Sequence, residues 1–261
     1  MTTPQPGIGF NDALPVQQAK SRLLITLVVD TSSSMNEQGP GGERRIDELN
    51  RALAALRAEL MKDDVVRRQG EIALVTFGAN HVVAVDPTGR TPGRASEPYA
   101  PVSQFNPPAL QAGGITPMVE GLQYAFELIA DRRGRLRAEG IPLSNRPIVY
   151  LITDGVPTDA SGHRSDNWRS LVPVIRSQEA GKHMLFFALG VAGAEIDMLQ
   201  GLAPNSSHYL AQLEFSQVLM LVSASIDTGA DPTSRSAPAE EVYGQVQTRI
   251  ERIRTFLDEN H

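Results

Sequence analysis

The hydrophobic positions of this chain fall into two kinds of run that alternate. Leu23 to Asp30 is almost unbroken in apolar residues, as a strand covered on both faces requires. Ile46, Leu49, Leu53, Leu56 and Leu60 then recur at helical spacing with charges between them. Glu71–Phe77 and His81–Val85 are apolar again, around Gly78-Ala79-Asn80, a connection so short that it forces an antiparallel hairpin. Val119, Leu122, Phe126 and Ile129 predict a helix beginning at Thr116-Pro117, with Thr116 as cap and Pro117 in the first turn. Ile148–Thr153 is a buried strand. A helix around Val172–Ile175, a strand over His183–Val191, a short helix over Ile196–Leu202, a short strand over His208–Leu210 and a last helix over Phe215–Ile226 complete the pattern.

Strands alternating with helices imply parallel crossover units, so the expected fold is α/β, a Rossmann-like doubly wound and mostly parallel sheet with one antiparallel edge strand and helices on both faces. Residues 1–20, with three prolines, are expected to be an arm. The main domain then spans 21–228, a linker rich in small residues and proline spans 229–239, and an amphipathic helix spans 240–261. In that last helix Tyr243, Val246, Ile250, Ile253 and Leu257 are three and four apart. Docking on its own domain, capture of a partner and a dimer seam are all compatible with two heptads. The stretch 86–114, long and rich in proline and glycine, is of a length usually reserved for functional or mobile loops.

Composition narrows the function classes. A net charge of −6 over 261 residues argues against phosphate-backbone binding, so no nucleic-acid partner is expected. The basic run Arg132-Arg133-Gly134-Arg135-Leu136-Arg137 is expected to be a solvated helix end. With no cysteine, thiolate metal sites and cysteine nucleophiles are excluded. The longest apolar stretch, Met184–Ala194, suits a core strand and not a membrane span, and the first residues lack the pattern of a signal peptide. A cytoplasmic protein without a membrane partner is expected.

The chemistry sits at strand ends. Asp30-Thr31-Ser32-Ser33-Ser34-Met35 follows the first strand, Gly113-Gly114-Ile115-Thr116-Pro117 opens a later helix, and Asp154-Gly155 follows another strand. In doubly wound sheets ligands bind beyond the carboxyl ends of the strands. Asp30, Ser32, Ser34, Thr116 and Asp154 together offer two carboxylates and three hydroxyls, a donor set for a hard cation such as Mg²⁺, with Mn²⁺ or Ca²⁺ also compatible. Two carboxylates only just neutralise a divalent ion; if they act partly through water, the ion stays electrophilic and keeps a position open to an acidic group from a partner.

The spacing Asp30-x-Ser32-x-Ser34, then Thr116, then Asp154-Gly155, resembles the metal-ion-dependent adhesion site of von Willebrand factor type A domains. The resemblance covers residues 22 to about 228. Ala112–Pro117, Gly140-Ile-Pro142, Arg146-Pro147, Leu151–Asp159, Phe187–Val191 and Val222–Ile226 bring it nearest to bacterial TerY-like proteins associated with tellurium resistance. It implies one Mg²⁺, held directly by Ser32 and Ser34, mostly through water by Asp30 and Asp154, and directly or through water by Thr116. It also implies a non-enzymatic protein-interaction module that takes an acidic side chain of a partner, with kinase- or phosphatase-like proteins as partners in a stress response. Two departures stand out: the insert Asn36–Arg45 on the metal face, and the tail after residue 228.

Two other readings compete with this one. The tail helix could carry a scaffold function. A Mg²⁺-dependent phosphatase-like enzyme would need a second carboxylate two residues after Asp30, where this chain has Ser32. Gly-x-Ser-x-Gly and P-loop motifs do not occur.

Overall fold

The computed structural model describes residues 21–39, 41–209, Val222, Ile226 and 235–259. Seven strands form one sheet: β1 (Leu23–Thr31), β2 (Gly70–Gly78), β3 (His81–Val85), β4 (Ala100–Pro101), β5 (Ile148–Thr153), β6 (Leu185–Gly190) and β7 (Ser207–Tyr209), in the order β3-β2-β1-β5-β6-β7. β1 lies parallel between β2 and β5, and β5–β6 and β6–β7 are parallel too. β3 and the two-residue β4 share the far side of β2, both antiparallel, and form the one antiparallel edge.

Every residue of β1, β2, β5 and β6 is buried, which is why those runs show no alternation in the sequence. The period of two is still read by the faces. Leu23, Ile25, Leu27 and Val29 of β1 face the layer made by α1 (Arg45–Leu60), α2 (Asp64–Gln69) and the C-terminal helix α6 (Ala239–Glu259). Leu24 and Val28 face the layer made by α3 (Met118–Ala138), α4 (Val172–Ala180) and α5 (Ile196–Leu202). Leu49, Leu53, Leu56 and Leu60 of α1 are all but sealed from solvent. Truncating Leu53 to alanine there costs about 2–5 kcal/mol.

Three expectations are corrected. First, α3 begins at Met118, Pro117 takes the capping position, and Thr116 makes no side-chain cap. Thr116 is held instead by Thr158, whose hydroxyl accepts its N–H (2.9 Å) and whose N–H donates to its carbonyl (3.1 Å). Second, α3 turns Met118, Gly121, Leu122, Ala125 and Ile129 fully inward, while Val119 and Phe126 are only partly covered. Small residues face the sheet because a Cβ on Gly121 would already stand 3.0 Å from the Phe77 ring. Third, the basic run is only in part a solvated end: Arg135 and Arg137 are exposed, but Arg132 and Leu136 are not. Arg132 makes a two-pronged pair with Glu71 at 2.7 Å on each prong, Arg135 pairs with Glu97, and Leu136 is buried.

The helix α6 docks its first turns on the sheet. Val242, Tyr243 and Val246 are buried, and the Tyr243 ring meets Phe187 edge-on at 5.2 Å. Its hydroxyl donates to the Glu179 carboxylate and accepts the Phe186 N–H at 3.0 Å. The arm 1–20, most of the expected helix 215–226, and the side chains of Ile250, Ile253 and Leu257 lie outside the described residues. Among the described residues no helix is long and apolar enough to cross a membrane.

Candidate metal centre

The carboxyl ends of β1 and β5 are neighbours in the sheet, so Asp30 and Asp154 are delivered side by side. The Asp30 carboxylate is oriented by two donors. The Ser32 N–H reaches Oδ1 at 2.8 Å and the Thr153 hydroxyl reaches Oδ2 at 2.6 Å. The chain turns at once into a short 3₁₀ segment, Ser33–Asn36, which swings the Ser34 hydroxyl back over the strand end. Ser34 Oγ donates to Asp154 Oδ1 at 2.8 Å and lies 3.0 Å from Ser32 Oγ.

The third segment is tied to the first by backbone. The Gly113 N–H donates to Thr31 O (2.9 Å), while the Ser33 N–H and hydroxyl both donate to Gly114 O (3.2 and 2.9 Å). Gly114 has φ +73°, and a Cβ there would stand 2.7 Å from Gly78 O, so only glycine lets this loop lie against the end of β2. The loop then presents Thr116.

All five expected residues therefore line one place. The clearest measure is Gly155. A methyl group built on it would stand 3.2 Å from Asp30 Oδ2, 3.5 Å from Thr116 Oγ1 and 3.6 Å from Ser34 Oγ. Oxygens from the segment after β1 and from the Thr116 loop thus surround a space that the missing Cβ on the segment after β5 leaves free. This space opens into a cavity of about 410 Å³ lined by Ser32, Ser34, Arg45, Thr116, Asp154 and Gly155 among others.

Electrostatics favour a cation there. Burial pushes the Asp30 carboxyl well up from the usual carboxylate range, and the neighbouring Asp154 carboxylate pushes it further, against the hydrogen bonds from Ser32 and Thr153. Asp154 is also raised, chiefly by burial, although Arg45 and Ser34 act in the opposite direction. Two buried carboxylates that share a single guanidinium, that of Arg45, are short of positive charge. Among the described residues no three His, Cys, Asp or Glu side chains gather as a metal group. The donors are as much hydroxyl as carboxylate, which suits a hard, oxygen-seeking ion.

Three residues of the site were not singled out in the sequence. Thr153 orients Asp30 from the end of β5, and its hydroxyl beside Asp154 was a readable signal. Thr158 fixes the backbone of Thr116. Arg45, at the start of α1, donates to Asp154 Oδ2 at 2.8 Å across 109 residues of sequence, and nothing local announces it.

A family model for the von Willebrand factor type A domain matches residues 25–156. Among solved structures the chain is similar to the vWF domain of the type V pili tip protein Mfa5 from Porphyromonas gingivalis. That likeness has a TM-score of 0.50 at 10% identity, over 81% of this chain and 97% of that one, and it is one of fold. The SpRpn10 VWA domain has a TM-score of 0.47 at 9% identity, over 77% and 95%. The pilus adhesin SpaC from Lactobacillus rhamnosus GG has 0.40 at 15% identity, over 89% of this chain but 30% of that one. No curated protein sequence matches the chain.

Proposed function

The chain belongs to the von Willebrand factor type A domain family, and on that premise we propose that it is a metal-dependent protein-interaction module. Its site would hold one divalent cation, Mg²⁺ in the first instance, with Asp30, Ser32, Ser34, Thr116 and Asp154 as its direct or water-bridged ligands. The observation that carries this reading is the convergence of Asp30 Oδ2, Ser34 Oγ and Thr116 Oγ1 on the space beside Gly155, at the floor of an open cavity. When bound, the ion supplies a Lewis-acidic coordination position open to an acidic side chain of a partner.

The chain's own residues do the rest. Thr153 and the Ser32 N–H hold Asp30 in place, so the carboxylate need not be ordered when the ion arrives. Ser34 holds Asp154 in the same way. Thr158 and the Gly113–Gly114 contacts clamp the third loop. Preorganisation of this kind lowers the cost of binding. No catalytic step is assigned. Both Asp30 oxygens already accept hydrogen bonds, and the residue is sealed from solvent, a poor arrangement for a nucleophile. The proposed setting is a bacterial cytoplasmic stress response of the tellurium-resistance type, with kinase- or phosphatase-like partners. It rests on the sequence stretches that resemble that subgroup.

The test is calorimetric titration of Mg²⁺ into chelator-stripped protein, followed by titration of a glutamate-rich peptide with and without Mg²⁺. Wild type should bind the ion, and the peptide only when the ion is present. Asp30→Ala and Thr116→Ala should lose or weaken both while staying folded. Peptide binding that survives both substitutions and chelation would sink the proposal.

A further inference from the structure

Arg45 is not part of the ligand set, yet it sits inside it. The residue is 9% exposed, stands at the first position of α1 and lines the metal cavity. The insert from Asn36 puts it there. A small hairpin closes with the Gly39 N–H on Glu43 O (2.8 Å), and the Arg45 N–H then donates to Glu37 O (2.9 Å). The guanidinium is only partly committed. Nη1 donates to Asp154 Oδ2 at 2.8 Å and, at the 3.5 Å limit, to Ser34 O; Nη2 lies 3.4 Å from Glu37 Oε2, and the buried Nε has no hydrogen-bond partner among the described residues. An arginine whose role is to brace an aspartate normally uses its fork two-pronged, as Arg132 does on Glu71. Here one prong reaches the buried carboxylate and the other leans toward an exposed one, Glu37, at the cavity mouth.

Charge decides what that geometry does. Asp30 and Asp154 carry two negative charges and Arg45 one positive. A divalent ion on the same Asp154 carboxylate would meet the guanidinium at close range, where repulsion in a protein interior outweighs solvent screening. We infer that Arg45 is a resident counter-cation that competes with the metal for Asp154 and so sets the affinity of the site. Glu37 is the carboxylate to which the guanidinium is released when the ion binds. The inference rests on the metal-site reading above.

The experiment is calorimetric titration of Mg²⁺, and separately of Mn²⁺, into the chelator-stripped full chain. Wild type, Arg45→Met, Glu37→Gln and the Arg45→Met/Glu37→Gln double variant are compared. Arg45→Met should bind the ion at least about tenfold more tightly than wild type. Glu37→Gln, an exposed change that leaves the fold alone, should bind it about threefold more weakly. In the Arg45→Met background Glu37→Gln should change nothing, because no guanidinium remains to be released. If Arg45→Met is folded and binds no more tightly than wild type, the competition is refuted. If Arg45→Met does not fold, unchanged affinity in Glu37→Gln refutes the release step. If wild type and Arg45→Met both ignore the metal, the metal-site reading itself falls, an outcome distinct from a wild type that binds and a variant that fails to tighten.

Discussion

Replacing Gly155 by alanine separates the metal site from the stability of the domain. Gly155 does not need a left-handed backbone, so alanine fits its conformation. A compatible glycine-to-alanine change stabilises by about 0.4–1 kcal/mol through the unfolded chain. The new methyl would stand 3.2 Å from Asp30 Oδ2, a tight contact that removes part of this gain. In a domain of this size each 1 kcal/mol moves the melting temperature by about 2–4 °C. Metal-free Gly155→Ala should therefore melt within about 4 °C of wild type. The methyl also lies 3.5 and 3.6 Å from Thr116 Oγ1 and Ser34 Oγ, in the space an ion and its waters need. Wild type with Mg²⁺ at about 100 times its dissociation constant gains about 2.7 kcal/mol, a rise of about 5–10 °C. Gly155→Ala should show none of it. Differential scanning calorimetry of chelator-stripped protein with and without Mg²⁺ reads both quantities at once. A variant that keeps the full shift would refute the claim that the oxygens around Gly155 hold the ion.

Further outcomes follow from other parts of the molecule. Glu71 is buried and takes Arg22 on one side and Arg132 on the other, so Glu71→Ala leaves two guanidinium groups without their carboxylate and should cost about 3–5 kcal/mol in urea unfolding. Tyr243→Phe removes the hydroxyl shared by Glu179 and the Phe186 N–H, which ties α6 to the sheet; urea unfolding should show a loss of about 1–3 kcal/mol, and its absence would mean that α6 docks by packing alone. At Asp86, burial pushes the carboxyl up, but the N–H and hydroxyl groups of Thr88 and Thr91 outweigh it and hold the group well below the usual range. A depressed folded value means that the stabilisation is complete above the unfolded value near 3.9 and is lost as pH falls below it. Asp86→Asn should accordingly flatten the fall of stability between about pH 4 and 2, measured against wild type.

The parts of the fold legible in the sequence are those whose burial is total or whose turns are forced. β1 and β5 appear as unbroken apolar runs because both sheet faces are covered, and the hairpin at Ala79-Asn80 admits only one geometry. The meeting of Asp30, Ser32, Ser34, Thr116 and Asp154 is legible because each lies at the carboxyl end of a strand, just beyond one, or just before a helix. The missed elements are short. α2 has six residues and is held by an Asp63 cap, whose carboxylate takes the Val65 and Val66 N–H groups at 2.8 Å, and β4 has two. Neither is long enough for periodicity to show. Thr-Pro favours a helix cap at Thr116 locally; the loop carrying Thr158 overrides that preference. Arg45 was beyond reach for another reason. Its meaning depends on a carboxylate 109 residues away, brought close only by the parallel pairing of β1 with β5.

The central claim is that one divalent cation sits among these loops. Crystals grown with Mn²⁺ test it most directly through anomalous diffraction. The account predicts a single strong peak bounded by Ser32 Oγ, Ser34 Oγ, Thr116 Oγ1 and the carboxylates of Asp30 and Asp154, with directly bound oxygens at about 2.1 Å. A map with no peak there, or with its peak at another site, would contradict it.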